Sequence, residues 1–334
     1  MMRAESVMAE AELSVVAPVY NEADNLRPLL DRLIPVLESC ARSFEVIFVD
    51  DGSTDHTLEI LRKAHDADPR IRAIALSRNF GKEIAIAAGL DHASGAAAVI
   101  MDADLQHPPE IIQSFVEKWR EGYKNVYGQR IDRAADSPLR RLLTQRFYRL
   151  FDALGETRLP RGAGDFRLLD AKAVAALRTM REHARFSKGL YAWIGFKSIG
   201  IPFEVAPRLQ GQSKFSYRKL THFALDGLMS FTTMPLKIWT YVGLATSLLA
   251  LALASFYIIR TLILGVDVPG FASLIVSITF FGGVQLLSLG ILGEYIGRIF
   301  AEVKRRPLYL IEERVGLTPV AQDELSSRAR RDWV

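Results

Sequence analysis

Two aspartates separated by one residue end an apolar run in the first third of the chain. The run covers residues 96–101, and Asp102 and Asp104 follow it. Such a run indicates a strand buried in a parallel sheet, and open α/β sheets place ligands at the carboxyl ends of their strands. Paired carboxylates suit Mg²⁺ or Mn²⁺, and Gln106 adds a neutral oxygen. The alternative is a solvated turn before a helix that starts near residue 108.

Polar motifs also follow three other strand-like runs. The runs at 13–17 and 44–49 lead into PVYNE and DDGSTD, and the run at 71–76 precedes Lys82. Because helical apolar patterns separate these runs, the sequence predicts a doubly wound, mostly parallel sheet with its strand-end acids at one crevice. No glycine-rich dinucleotide loop or Walker lysine loop occurs. We therefore expect a bound nucleotide to have its diphosphate held through a metal, with its base and ribose near Tyr20, Glu22 and Asp50.

Basic residues provide candidate sites for a phosphate group. The segment after residue 126 is rich in arginine, and its leucines recur at helical spacing. For Arg146 and Arg149 we favour the solvated face of an amphipathic helix. Arg130 and Arg133 precede that helix and are better phosphate ligands. A second basic loop spans residues 208–214.

Composition limits the classes of protein to consider. The formal net charge is +4 at pH 7, and the chain has no zinc spacing or RNA-binding motif, so we expect no nucleic-acid partner. The single cysteine, Cys40, excludes an internal disulfide and any need for an oxidising compartment. Residues 1–12 lack an apolar core, which predicts a loose leader and no cleavable signal peptide.

Two segments in the last third of the chain are long enough to span a membrane. Residues 238–259 and 268–293 contain no charged side chain. With a rise of about 1.5 Å per residue, a helix over either segment crosses a hydrocarbon core of about 30 Å. The short connection predicts a hairpin, and a water-soluble core is the disfavoured alternative.

The sequence around these segments predicts their orientation. Lysine and arginine cluster before the first segment and after the second, so the positive-inside rule places both termini and the large domain in the cytoplasm. Residues 220–231 have the spacing of an amphipathic helix, which favours an interfacial position over packing in a groove. The tail after Leu310 is polar, and we expect it to be loose.

Several motifs resemble those of family 2 glycosyltransferases of the polyprenyl-phosphate type. They are APVYNE (17–22), VDDGSTD (49–55), DADLQ (102–106) and GDFRL (164–168). Three others, RNFGKE (78–83), GLDHA (89–93) and LGEYIGR (292–298), look most like bactoprenol (undecaprenyl-phosphate) glucosyltransferases. Dolichol-phosphate mannose synthases and undecaprenyl-phosphate aminoarabinose transferases are more distantly similar. The resemblance runs from about Leu13 to Tyr309.

The resemblance implies a domain organisation. A leader (1–12) would precede a GT-A catalytic domain (13–212), which has a Rossmann-like α/β fold. Amphipathic juxtamembrane helices (213–235), a transmembrane hairpin (236–297) and a cytoplasmic tail (298–334) would follow. The protein would be a multi-pass protein of the cytoplasmic membrane.

The resemblance also implies residue roles. The donor nucleotide sugar, expected to be UDP-glucose, would be bound by Pro18, Tyr20, Glu22, Asp50, Asp51, Lys82, Asp102 and Asp104. Mg²⁺ or Mn²⁺ would be held by Asp102, Asp104 and Gln106. The acceptor phosphate would be bound by Arg130, Arg133, Arg208, Ser213 and Lys214. Asp165, Asp104 and Arg130 would take part in catalysis. His107 stands where relatives often have Asp or Asn, and we assign it no role.

The implied reaction is inverting transfer of a hexose to a polyprenyl phosphate. Because the second pKa of a phosphate monoester is near 6, the acceptor is largely dianionic at neutral pH and needs no strong base. We therefore expect Asp165 to orient a substrate. Transfer of another sugar to the same lipid class and a non-catalytic membrane scaffold are alternatives. A processive polysaccharide synthase is disfavoured, because two spans are too few for a channel and Gln-x-x-Arg-Trp is absent. The oligomeric state stays open.

Overall fold

The computed structural model describes residues 11–130, 162–183, 185–204, 234–264 and 270–317. The chain divides into two compact units, Met1–Gly227 with Pro307–Val334, and Leu228–Arg306. Several predictions lie outside the described residues. They concern the leader up to residue 10, the amphipathic helix at 220–231, and Arg133, Arg146, Arg149, Arg208, Ser213 and Lys214.

The first unit alternates strands and helices as the sequence predicts. Its elements are β1 (Ala11–Val19), α1 (Ala23–Cys40), β2 (Phe44–Asp50), α2 (Thr57–Ala67), β3 (Ile71–Leu76), α3 (Lys82–His92), β4 (Gly95–Ile100), α4 (Ile111–Arg120), β5 (Asn125–Arg130), β6 (Ala163–Asp170), α5 (Ala171–Thr179), α6 (Ser187–Trp193), β7 (Ser198–Phe203) and β8 (Ile311–Val315). The four predicted strands are confirmed as β1 to β4, although β1 extends two residues beyond the predicted 13–17 at each end and includes Pro18.

These strands form one eight-stranded sheet in the order β7-β5-β6-β4-β1-β2-β3-β8. Strand β1 pairs in parallel with β2 and β4, and β2 pairs in parallel with β3. Strand β6 is antiparallel to both β4 and β5, and β8 is antiparallel to β3. The predicted α/β class with a mostly parallel sheet is therefore confirmed, and the sheet is mixed.

Buried apolar side chains explain why the central strands and α1 form. All seven residues of β2 are buried, and α1 buries leucines 26, 29, 33 and 37 at helical spacing. Glu45, one of the two acidic residues of β2, accepts hydrogen bonds from Ser14 Oγ (2.6 Å) and Arg72 Nη1 (2.6 Å). Burying this carboxylate is tolerated because its oxygens have donors.

The prediction of a loose tail after Leu310 is wrong for residues 311–315. They form β8 at the edge of the sheet beside β3. The preceding Tyr309 is 6% exposed, packs in the same core as Ile47, and donates a hydrogen bond from its hydroxyl to Asp91 Oδ2 (2.8 Å). The sequence IEERV does not indicate a strand, because an edge strand is short and carries charges on its open face. The predicted catalytic boundary at 212 thus leaves out a strand of the sheet.

The second unit contains two long helices, α7 (Met234–Leu264) and α8 (Phe271–Val303), which contact each other. Their lengths of 31 and 33 residues correspond to about 46 and 50 Å. Within the part of the chain that the structure describes, one stretch, Phe280–Val303, is long and apolar enough to cross a membrane. The hairpin of two spans remains a prediction.

Candidate active site

The strand topology brings Asp102 and Asp165 to the same edge of the sheet. Asp102 follows β4, whose carboxyl end lies beside those of β1 and β2. Strand β6 runs in the opposite direction, and its Arg167 pairs with Ile100 of β4. Two residues after Ile100 and two residues before Arg167, this antiparallel register places Asp102 opposite Asp165. Asp165 thus reaches the crevice from the beginning of its strand.

Lys82 joins these two aspartates. Its Nζ lies 2.6 Å from Asp102 Oδ1, 2.9 Å from Asp102 Oδ2 and 3.1 Å from Asp165 Oδ2. Burial favours the neutral forms, but Lys82 together with other nearby positive groups outweighs it and holds the pKa of both carboxyls below its ordinary value. Burial likewise opposes the charge of Lys82, but the two carboxylates outweigh it and raise the pKa of the ammonium. All three groups are therefore charged at neutral pH.

Asp51 fixes the start of the helix that carries Lys82. Its Oδ1 accepts from the backbone N–H of Phe80 (2.7 Å), and its Oδ2 accepts from that of Gly81 (2.9 Å). Gly52 follows with φ +71°, and a Cβ there would lie 2.6 Å from the backbone of Arg78, so only glycine fits. Asp51 was predicted to bind nucleotide, and the structure engages both its oxygens in positioning this loop.

The loop after β4 is held in a strained and specific conformation. Leu105 is buried with φ +60°, a region that branched, bulky residues rarely adopt. The backbone N–H of Gln106 donates to Asp104 Oδ1 (3.1 Å). The backbone N–H of Asp102 donates to His107 Nδ1 (3.1 Å), and the imidazole stacks on Phe166 with centroids 4.7 Å apart. His107 therefore positions Asp102, a role that no sequence signal revealed.

The ends of β1 and β2 form a second, connected part of this edge. The backbone N–H of Asn21 donates to Ser53 Oγ (2.8 Å), and that of Glu22 donates to Thr57 Oγ1 (3.1 Å). Asp50, 2% exposed, accepts from the backbone N–H of Ser53 (2.9 Å), and burial raises its pKa. The predicted donor-binding residues Pro18 and Asp50 thus lie in the last residues of β1 and β2, and Tyr20 and Glu22 lie in the loop that follows β1.

Further polar residues surround Asp165 that sequence reasoning did not assign. Ser187 Oγ donates to Glu83, and burial together with the charge of Asp165 raises the pKa of Glu83 to about 7. Arg167 is buried, donates to the carbonyl of Gly164 (2.5 Å), and lies 3.7 Å from the ring centroid of Tyr191. Arg167 lies within the motif GDFRL, and its place in that motif is the sequence signal that could have identified it.

Arg130 lies at the same edge but farther along the sheet. It ends β5, which is separated from β4 by β6. Because β6 is antiparallel to both neighbours, β5 runs in the same direction as β4. Arg130 is exposed at that end.

Comparison with known proteins assigns the family. The sequence profile described as glycosyl transferase family 2 matches residues 14–178. An uncharacterized glycosyltransferase from Synechocystis sp. is 50% identical over 315 residues, which cover 94% of this chain and 99% of that protein. This chain belongs to glycosyltransferase family 2.

Two other proteins are similar to this family 2 glycosyltransferase. A bactoprenol glucosyl transferase of Shigella phage SfII is 40% identical over 310 residues, covering 90% of this chain and 98% of the phage protein. A solved mannosyltransferase from Pyrobaculum calidifontis, in complex with GDP-Man and Mn²⁺, shares 21% identity with a TM-score of 0.44. The match covers 61% of this chain and 58% of that one.

The donor set of the glycosyltransferase fits a divalent cation that is shared with a substrate. Among the described residues, no group of three His, Cys, Asp or Glu side chains could hold a metal by itself. Asp102, Asp104 and Gln106 offer oxygens within one short loop. Mg²⁺ is commonly bound by one or two carboxylates together with substrate phosphates and waters, and this loop carries groups of that kind.

Glu83 gives the folded glycosyltransferase a testable pH dependence. Its pKa of about 7 exceeds the ordinary 4.5, so between these values the native state binds more protons than the unfolded state. Stability should therefore fall as pH rises through this window. We expect Glu83→Gln, which keeps a hydrogen-bonding group, to remove that fall, so that its Tm advantage over the wild type grows from pH 5 to pH 8.

The measurement is thermal unfolding of both proteins across that pH range. Glu117→Gln, a change at an exposed acid of α4, is the matched control and should leave the pH dependence unaltered. A Tm difference between wild type and Glu83→Gln that stays constant with pH would contradict the assignment of this dependence to Glu83.

Proposed function

We propose that the protein transfers glucose from UDP-glucose to a polyprenyl phosphate, with inversion, at the cytoplasmic face of the membrane. The observation that carries this proposal is the similarity to bactoprenol glucosyl transferases, which extends over 90% of the chain at 40% identity. That extent includes the strand-end acids of the first unit and the two long helices of the second. The strand-end geometry supports a donor site for a nucleotide sugar.

The donor site has to stabilise a departing nucleoside diphosphate. Asp102, Asp104 and Gln106 would hold Mg²⁺ or Mn²⁺, which when bound neutralises charge on the diphosphate. Pro18, Tyr20, Glu22 and Asp50 would bind the nucleoside, because they lie at or just after the adjoining carboxyl ends of β1 and β2. Lys82 adds a positive charge beside Asp102 and Asp165.

The acceptor site has to hold a phosphate in line with the sugar. Arg130 would bind it from the end of β5, together with Arg133, Arg208, Ser213 and Lys214. Guanidinium groups suit this task because they bind phosphate oxygens through two parallel hydrogen bonds. Attack by the phosphate oxygen on the anomeric carbon from the side opposite UDP would convert an α-linked donor into a β-linked lipid product.

The second unit would keep the site at the bilayer surface. We propose that α7 and α8 cross the membrane as a hairpin, because both are longer than a hydrocarbon core of about 30 Å requires. Exposed apolar side chains support this reading, among them Leu248, Phe256, Leu286 and Phe300. In the sequence, lysine and arginine cluster before α7 and after α8, which favours a cytoplasmic catalytic domain. A polyprenyl chain stays in the bilayer, so the catalytic site must reach its phosphate at the bilayer surface.

The test is a panel of labelled nucleotide sugars given to the full chain in nanodiscs with undecaprenyl phosphate. We expect label in the lipid extract with UDP-glucose, one sugar per lipid, and none with undecaprenol, which lacks the phosphate. Label from GDP-mannose alone would refute the donor assignment. A growing polymer would indicate a processive synthase, and binding without transfer would indicate a scaffold.

Asp165→Asn tests whether Asp165 acts as a base. The pKa of Asp165 lies far below its ordinary range because burial is outweighed by Lys82 and Lys188, so its carboxylate is a weak proton acceptor. At saturating Mg²⁺ we expect kcat to fall about 10- to 100-fold, less than the loss of an essential base, with unchanged KM for UDP-glucose. Steady-state kinetics with both substrates checks this. Complete loss of turnover with intact binding would show that Asp165 is an essential proton acceptor.

A further inference from the structure

In the structure, Lys82 occupies the oxygens that a metal would need. Its ammonium contacts both oxygens of Asp102, at 2.6 and 2.9 Å. An oxygen of a carboxylate that faces an ammonium at this distance is a poor ligand for a divalent cation, since two positive charges would share it. Metal binding at Asp102 therefore requires Lys82 to move away from that carboxylate.

Asp165 offers Lys82 an alternative position. Its Oδ2 already lies 3.1 Å from the ammonium, while its buried Oδ1 has no hydrogen-bond partner among the residues that the structure describes. A buried carboxylate oxygen without a donor is costly. A small rotation of the lysine towards Asp165 would satisfy this oxygen and release Asp102.

The fixed backbone and flexible side chain of Lys82 allow such a movement. Its backbone begins α3, and the two residues before it are fixed by the carboxylate of Asp51. Its side chain is 41% exposed and has four flexible carbons. The backbone of Lys82 is held in place and its side chain can rotate, so the ammonium can exchange partners without a change in the fold.

We propose that Lys82 is an internal counter-cation that pairs with Asp102 in the empty enzyme and is displaced to Asp165 when a divalent cation and nucleotide bind. This inference rests on the metal site of the proposed function. It makes Lys82 a regulator of metal affinity: the free protein binds the cation weakly, and the site is completed when the nucleotide supplies further ligands. The two cations compete for one carboxylate.

The test measures Mn²⁺ binding to the full chain in nanodiscs, without and with UDP, from the electron paramagnetic resonance signal of free Mn²⁺. Lys82→Met removes the competing charge, so we expect it to bind Mn²⁺ about tenfold or more tightly than the wild type without UDP. Lys82→Arg retains the charge and should stay near the wild type. Asp165→Asn removes the alternative partner and should weaken Mn²⁺ binding, by a smaller factor when Lys82→Met is also present.

Asp102→Asn separates the two ways in which this proposal fails. If it abolishes Mn²⁺ binding while Lys82→Met binds no more tightly than the wild type, the metal site stands and the exchange is refuted. If Asp102→Asn binds Mn²⁺ as the wild type does, the metal site itself is wrong, and the exchange with it. Circular dichroism spectra of the variants verify that each is folded.

Discussion

Asp102→Asn is expected to lower kcat/KM for glucosyl transfer about 10³-fold, a loss comparable to removing a preorganised group that stabilises developing charge. The substitution removes one of two carboxylates that would hold the cation and leaves Lys82 with Asp165 alone. The fold should persist, because Asp102 lies beyond the end of β4 and its side chain is 28% exposed. The measurement is the initial rate of lipid-linked glucose formation at saturating Mg²⁺.

Asp66→Asn is the matched control for this change. Asp66 is an exposed acid on α2, remote in sequence from the strand ends, and the same loss of charge there should leave the rate within twofold of the wild type. An Asp102→Asn protein that keeps more than a tenth of the wild-type rate would remove Asp102 from the metal site.

Tyr309→Ala is expected to destabilise the first unit by about 3–5 kcal/mol, the range found when a large buried aromatic is truncated. Tyr309 is buried beside residues of β2 and α3. Its hydroxyl donates to Asp91, which also accepts from Arg181 Nη1 at 2.6 Å. Thermal or denaturant unfolding checks this, and a Tm decrease of about 10 °C corresponds to such a loss in a domain of this size.

Leu310→Ala provides the control from the neighbouring position. Leu310 is 52% exposed, so its truncation should cost less than about 1 kcal/mol. Equal destabilisation by the two substitutions would mean that residues 307–317 are not packed against the sheet. The pair thus tests whether the chain returns to the first unit after α8.

The strand ends could be predicted from the sequence because their signal is local. An apolar run followed at once by acids identifies both a buried strand and its functional end, and this holds for Asp50 and Asp102. The right-handed parallel arrangement of β1, β2 and β4 then places these ends together without further information.

The arrangement around Asp165 could not be predicted from local patterns. Its strand is antiparallel to β4, so the functional residue stands at the beginning of the run and not after it. The ion pairs of Lys82 join residues 20 and 83 positions apart in the chain. The register of β4 and β6 brings the two carboxylates together, and the contacts of Asp51 with the loop before α3 place Lys82 beside them.

Strand β8 shows a different limit of sequence reasoning. Five residues with three charges carry too little apolar periodicity to indicate a strand, and their partner β3 lies more than 200 positions earlier. One practical consequence concerns truncation. A chain cut before Lys237 would lose β8 along with α7 and α8, so the role of the two helices is better tested by changes confined to the second unit.

The metal dependence of lipid glucosylation tests the central claim most directly. The full chain in nanodiscs is given labelled UDP-glucose and undecaprenyl phosphate, and label is counted in the lipid extract with Mg²⁺, with excess chelator, and with Asp104→Ala. We expect lipid-linked glucose with Mg²⁺ only, and a folded but inactive Asp104→Ala protein. Undiminished lipid glucosylation in excess chelator, or by Asp104→Ala, would contradict a cation-assisted transfer at the end of β4.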